Sequence, residues 1–344
     1  MREIICPDGS AVFKRIAGEL ERGIQLVEKP FSEIGARLGI SGESTLSMAR
    51  GMRDSGLMRR FGTFFDYRKL GYAGYLFGAS ALGYAGTEMT ERICRAPYVT
   101  HVYEREHALN LWFTVLSKGN ENADGMCGLL RSYGCDFVAL RASKMIKLRP
   151  SFVRDADGES GFGDWNDGEP DVFDHCAMRM ARSAALVSGI SERPFADAAR
   201  LSGITESELI DGLRYLFSCG IVRRIGASFD HYRAGWHSNS LCAFDLSGAG
   251  IFVREAASVA VSDLPWASHC YIRELCDSEL SSKWPYNLYI MLHAVSDGEL
   301  DARERHLLEI FGGARFVSLR TKREIKKSYF RIFGEERLRW ENRP

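Results

Sequence analysis

Apolar residues recur at three- and four-residue spacing over residues 10–22, 31–38 and 43–54, which predicts three short helices. Gly39 and Ser41 fall between the second and third, and a short helix, a turn containing Gly and a longer helix make a helix-turn-helix pattern. Ser41 is suited to cap the third helix and Gly56 to stop it. Residues 57–66, LMRRFGTFFD, read as the β-wing of a winged helix. Two-residue alternation then predicts strands at 72–82, 98–105, 110–117 and 136–147, with helices at 87–95 and 122–133. That order, βαββαβ, is the ferredoxin-like split unit, an antiparallel sheet with both helices on one face.

The whole order then returns. Helices are expected at 174–188, 195–201 and 206–218, with Thr205 as cap and Gly220 as stop, followed by IVRRIGASFD at 221–230. Strands follow at 239–246, 266–274, 286–294 and 315–326, with helices at 251–261 and 299–311. Pro30, Phe31, Gly39, Ile40, Arg50, Gly56, Arg59, Arg60, Gly62, Phe65, Asp66 and Gly71 each have an identical residue 164 positions later. The offset grows to 168 between His101 and His269 and to 179 between Leu140 and Leu319, so the second copy has longer loops. A repeat of this length is a domain duplication. The fold class is α+β, a tandem duplication of a winged helix-turn-helix and a ferredoxin-like βαββαβ domain. The expected domains are a winged helix-turn-helix at 1–66, a ferredoxin-like αβ-sandwich at 67–149, an acidic Gly-rich linker at 150–172, the second winged helix-turn-helix at 173–230, the second αβ-sandwich at 231–330 and a charged tail at 331–344. The bare face of each sheet needs a cover, and the sheet of the other copy is the obvious one.

Composition narrows the classes. Forty-five basic residues balance 45 acidic ones over 344 residues, which argues against a strongly basic nucleic-acid binder. No apolar run approaches the roughly 20 residues that span a bilayer, and the first ten residues hold no signal-peptide core. The nine cysteines are irregularly spaced, without a C-x-x-C pair, which reads as reduced thiols in a cytoplasm rather than a zinc site.

The candidate chemistry lies on two strands. His101, Tyr103 and Arg105 alternate, and His269, Tyr271 and Arg273 repeat them. A strand shows alternate residues on one face, so each set lines one wall. A half-buried sheet with satisfied polar groups would explain one copy; two copies weigh against it. His293 ends the strand expected beside His269, where the first copy has Leu116, so the halves are not equivalent.

A winged helix followed by βαββαβ resembles the Lrp/AsnC family. Finer features resemble siroheme decarboxylase: the R-R-x-G wing segments, [VA]-[TS]-H-x-Y-x-R in both copies, His107, Asn110 and Trp112 after the first, and the segment WPYNLYIMLH from Trp284 to His293 after the second. The enzyme has two homologous subunits, and this chain resembles a fusion of both, as also occurs in the d1-haem pathway. The resemblance implies loss of two CO2 from siroheme, the C12 and C18 acetates becoming methyls, to give 12,18-didecarboxysiroheme for alternative haem or d1-haem synthesis. It implies no added cofactor, since siroheme is the substrate.

Such a pocket needs cations for the substrate's carboxylates, and Arg59, Arg60, Arg105, Arg223, Arg224 and Arg273 are the candidates. Neighbours on a strand face opposite ways, so one member of each Arg-Arg pair serves, and neither is favoured. His101, His269 and His293 are candidate proton donors, Tyr103 and Tyr271 their supports, and Trp284 and Tyr286 candidate stacking groups. No protein metal site is expected, though His101 or His269 is a candidate contact for the substrate iron. The expected partners are siroheme and the two halves themselves as an intramolecular pseudo-dimer; a further homodimer and contacts with other haem-pathway enzymes stay open. Two alternatives stand beside this reading, a ligand-sensing regulator and a non-catalytic haem-binding protein. Against the regulator, the expected recognition helices carry Glu43, Asp54, Glu206, Glu208 and Asp211, and acidic groups repel phosphates.

Overall fold

A computed structural model describes residues 11–148, 175–248, 259–261, 264–278, 284–330 and 333. The expected linker, most of the helix at 251–261 and nearly all of the charged tail lie outside these residues. The chain divides into two compact units, each built from both copies: residues 1–70, 151–235 and 331–344 form one, and residues 71–150 and 236–330 the other.

The first unit holds six described helices. In the first copy they are α1 (Ala11–Arg22), α2 (Pro30–Leu38) and α3 (Gly42–Asp54); in the second, α6 (His175–Ala185), α7 (Pro194–Ser202) and α8 (Glu206–Ser218). Gly39 and Gly203 close α2 and α7 in the left-handed conformation, at φ 73° and 69°, where a side chain would be strained. The Ser41 hydroxyl accepts from the Ser44 N–H at 3.0 Å, and Thr205 with Glu208 forms a reciprocal capping box.

The wing expectation needs correction. Strand β1 (Met58–Phe65) does not fold back as a hairpin of its own copy. It pairs antiparallel with β6 (Val222–Phe229) of the other copy. Gly62 and Gly226 explain the Gly in the shared motif: a Cβ on Gly62 would lie 2.8 Å from the Val187 carbonyl oxygen, and one on Gly226 would collide with that of Leu20. Each strand thus lies against the end of a helical segment from the opposite copy. Other ties are reciprocal too. Arg50 of α3 donates to the Ile190 carbonyl at 3.1 Å, and Arg214 of α8 to the Leu26 carbonyl at 3.4 Å. Lys29 pairs with Glu192 at 2.7 Å, and Arg193 with Glu28 at 2.9 Å.

The second unit is a closed eight-stranded barrel. Its first-copy strands are β2 (Tyr72–Ala79), β3 (Val99–Arg105), β4 (Leu111–Lys118) and β5 (Phe137–Leu148); its second-copy strands are β7 (Ser238–Phe244), β8 (Ala267–Ser278), β9 (Leu288–Ala294) and β10 (Phe316–Lys327). The order is β10-β3-β4-β2-β5-β8-β9-β7, so each copy forms its own four-stranded sheet, and two seams, β5 with β8 and β10 with β3, join them. Helices α4 (Gly83–Arg95) and α5 (Glu121–Ser132) pack on the first sheet and α9 (Asp297–Ile310) on the second. Alternation fills two helix-side cores, one around Phe77, Val102 and Phe113 and one around Phe244, Cys270 and Ile290. The opposite faces share a third core drawn from both copies, with Leu76, Trp112, Val138 and Leu140 meeting Ala243, Trp284, Tyr289 and Leu319. Each sheet therefore covers the other, by edge closure as well as by face packing. Gly78 has no side chain because Trp112 lies over it; a Cβ there would sit 2.7 Å from the indole.

Candidate active site

Strands β3 and β8 carry the two repeats of His, Tyr and Arg. Val99 and Val102 enter the first helix-side core, and Ala267 and Cys270 the second. Irregularities in register at Val99/His101 and Ala267/His269 then turn His101, Tyr103, Arg105 and their counterparts His269, Tyr271, Arg273 to the face away from the helices.

Within each strand the geometry repeats. The ring centroids of His101 and Tyr103 lie 6.3 Å apart, those of His269 and Tyr271 6.5 Å, with the ring planes of each pair nearly parallel. The Arg105 guanidinium sits 5.1 Å from the Tyr103 ring centre, and Arg273 4.9 Å from that of Tyr271. The hydroxyl before each histidine meets its Nδ1: Thr100 with His101 and Ser268 with His269, both at 2.8 Å. Sequence reasoning missed these hydroxyls, although Thr and Ser precede the two histidines in the quoted motif.

The surroundings do not repeat. Lys327, Glu324 and Thr321 of β10 pair with His101, Tyr103 and Arg105 across one seam. Leu148, Met145 and Ala142 of β5 pair with His269, Tyr271 and Arg273 across the other. Arg105 is 3% exposed and donates to the Leu319 carbonyl at 2.7 Å and to the Thr321 hydroxyl at 2.9 Å. Thr321 in turn donates to Asn239 at 2.6 Å. Arg273 reaches the Leu140 carbonyl, the counterpart of Leu319, only at 3.4 Å, and it is half-buried. His293 is buried, and its Nε2 lies 3.0 Å from the Ser268 hydroxyl that also meets His269. The Tyr103 hydroxyl approaches the Glu324 carboxylate at 3.5 Å.

Trp284, a candidate stacking group, packs in the core shared by the two sheets. It is buried, its ring centre 5.5 Å from those of both Trp112 and His107, and its Nε1–H donates to the Tyr289 hydroxyl at 2.8 Å. The Tyr286 ring centre lies 5.0 Å from that of Trp284. So the WPYNL segment of the second copy packs on the His107–Trp112 segment of the first. Burial holds the His107 imidazole below its ordinary pKa and pushes the Tyr289 hydroxyl up. It also pushes the Cys270 thiol, on the helix side of β8, up to about 12, which keeps it unreactive.

The Arg-Arg pairs belong to the first unit. Arg59 donates to Asp230 at 2.8 Å, and Arg60 donates to the Thr63 carbonyl at 2.7 Å. Arg224 is 5% exposed, donates to the carbonyls of Glu21 and Ala227 at 2.7 and 2.8 Å and lies 3.8 Å from the Phe64 ring centre. These contacts tie Arg224 to both copies of the first unit. Arg223 is half-buried on β6. Among the described residues no group of three or more His, Cys, Asp or Glu side chains is arranged to hold a metal, and no described helix is long and apolar enough to cross a membrane.

Residues 233–326 match the AsnC-like ligand binding domain. A siroheme decarboxylase alpha subunit from Desulfovibrio desulfuricans is 30% identical over 44% of this chain and 87% of its own length. The chain belongs to the siroheme decarboxylase family. A siroheme decarboxylase from Hydrogenobacter thermophilus is 26% identical over 95% of this chain and 97% of that protein, so the fused length has a full-length relative. The crystal structure of the siroheme decarboxylase NirDL superposes with a TM-score of 0.69 at 24% identity, over 96% of each chain. A second structure of that protein is a complex with an iron-uroporphyrin III analogue. Membership makes the chain a carboxy-lyase on an Lrp/AsnC-like fold.

Proposed function

We propose that this chain removes the C12 and C18 acetate carboxyls of siroheme as two CO2, giving 12,18-didecarboxysiroheme for alternative haem or d1-haem synthesis. The observation that carries the reading is the pair of His-Tyr-Arg strands displayed on the helix-free faces of a two-copy barrel.

The chemistry asks for what those strands hold. When an acetate arm loses CO2, the electron pair of the broken bond stays on the methylene carbon, where the conjugated macrocycle can absorb it. A proton must then reach that carbon, and an imidazole is suited to deliver it near neutral pH. His101 and His269 are the proposed donors, with Tyr103 and Tyr271 beside them. Replacing C–CO2H by C–H and CO2 balances without an oxidant or reductant, so no further cofactor is assigned. Arg273, half-buried beside the Tyr271 ring, is the proposed cation for a substrate carboxylate. Arg105 is held on protein carbonyls and hydroxyls and supports the wall. Arg59, Arg60 and Arg223 stay proposed carboxylate contacts. Arg50 and Arg214, basic residues of the two recognition helices, are tied to loop carbonyls of the opposite copy, which supports a packing role for these helices over DNA contact.

Anaerobic incubation of the purified chain with siroheme, followed by mass analysis, tests the reading. Loss of two CO2 is expected. Binding of siroheme without mass change would reduce the protein to a carrier, and salt-sensitive binding of duplex DNA with no pigment binding would favour a regulator.

A further inference from the structure

We propose that Ser268 is a positioning residue that relays protons from His293 to His269, and that the second copy is thereby the better supplied of the two proton-donating halves. The proposal rests on the decarboxylase reading above.

Three side chains from two neighbouring strands make the line. Ser268 Oγ lies 2.8 Å from His269 Nδ1 and 3.0 Å from His293 Nε2. Ser268 and His293 are 4% and 7% exposed, so the inner part of the line is shielded, while His269 is half-buried at its outer end. Thr100 meets His101, but Leu116 stands where His293 stands in the second copy. One flank differs as well, since Glu324 pairs with Tyr103 where Met145 pairs with Tyr271.

The bonds balance as follows. The Nε2–H of His269 gives its proton to the methylene carbanion left by CO2. Ser268 Oγ–H passes its proton to His269 Nδ1, so the imidazole never becomes an anion. In its protonated form His293 gives its Nε2 proton to Ser268 Oγ and becomes neutral, and it takes up another proton before the next turnover. The longer contact of Ser268 Oγ with the Met291 carbonyl, 3.5 Å, is the resting alternative for the hydroxyl proton.

Three variants test the relay: Ser268→Ala, Ser268→Thr and His293→Gln, each assayed for turnover, for siroheme affinity by absorbance titration and for melting temperature. Ser268→Ala and His293→Gln are expected to lower kcat about tenfold or more while affinity holds, because general acid catalysis is worth at least that much. Ser268→Thr, which copies the Thr100 of the first copy, is expected to restore most of the rate. An active wild type with unchanged kcat in Ser268→Ala or His293→Gln overturns the relay and leaves the decarboxylase reading standing. So does equal loss in Ser268→Ala and Ser268→Thr at an unaltered melting temperature, which would mark Ser268 as mere packing. A wild type that binds siroheme but releases no CO2 overturns both.

Discussion

The two units treat the duplication in opposite ways. In the helical unit several ties between the copies are matched. Arg50 and Arg214 clasp Ile190 and Leu26, Lys29 and Arg193 pair with Glu192 and Glu28, and Gly62 and Gly226 admit a backbone carbonyl from the opposite copy. In the barrel the backbone pairing is kept, but the side chains beside the His-Tyr-Arg strands have diverged: Ala142 against Thr321, Met145 against Glu324 and Leu116 against His293. Assembly is served by matched contacts, which hold either half equally. A reaction on an asymmetric pigment has no need of matched walls, and that is where symmetry has been lost.

The comparison breaks first at the histidines. His269→Ala is expected to lower turnover about a hundredfold or more with folding intact, and His101→Ala by less, because only His269 is backed by a second imidazole. Equal losses in a steady-state CO2 assay would restore symmetry to the barrel, and full activity in the double variant would remove both from the reaction. The arginines come next. Arg105→Ala removes a buried cation from the Leu319 carbonyl and Thr321 and is expected to cost about 2–3 kcal/mol in urea unfolding. Arg273→Ala is expected to cost under about 1 kcal/mol of stability yet weaken siroheme binding, since its contact with the Leu140 carbonyl is long and its side chain half-buried. A reversed order would place the carboxylate clamp in the first copy.

A smaller effect lies at His107. The Leu109 N–H donates to its Nδ1 at 3.0 Å, which requires that nitrogen to be unprotonated, and burial lowers the pKa from 6.5. The unfolded chain therefore takes up this proton at higher pH than the folded chain. The resulting stability is fully present above pH 6.5 and is lost as pH falls from there toward the depressed folded value. His107→Gln is expected to flatten that limb of a stability–pH curve; an unchanged slope would show that another group governs it. The smallest effects are expected in the helical unit, where Arg50→Ala and Arg214→Ala should each cost within about 1 kcal/mol by thermal melting. A large loss from one of them alone would mean that this unit, too, has an unequal pair.

Much of this architecture was legible because it is local. Capping by Ser41 and Thr205, the turns at Gly39 and Gly203 and the alternation of His101, Tyr103 and Arg105 are fixed by a few consecutive residues. The copy-to-copy repeats also announced two sheets. What stayed hidden depends on partners far along the chain. The LMRRFGTFFD segment has the pattern of a strand, but nothing in it specifies the opposite copy as its partner. The Arg-Arg pairs and Trp284 carry groups suited to a pigment, yet Arg224 meets carbonyls of Glu21 and Ala227 and Trp284 meets Trp112 and His107. Ser268 escaped notice for a different reason: a serine beside a histidine is common, and only the folding of β9 against β8 brings His293 to its other side.

The two seams of the barrel also bear on how such a protein can be made. A half produced alone would expose β3 and β5, or β8 and β10, as long ribbons of unmet amide and carbonyl groups, which invite indiscriminate strand addition. One continuous polypeptide delivers both halves in equal number, at the same place and moment, so neither waits in the cell without its counterpart.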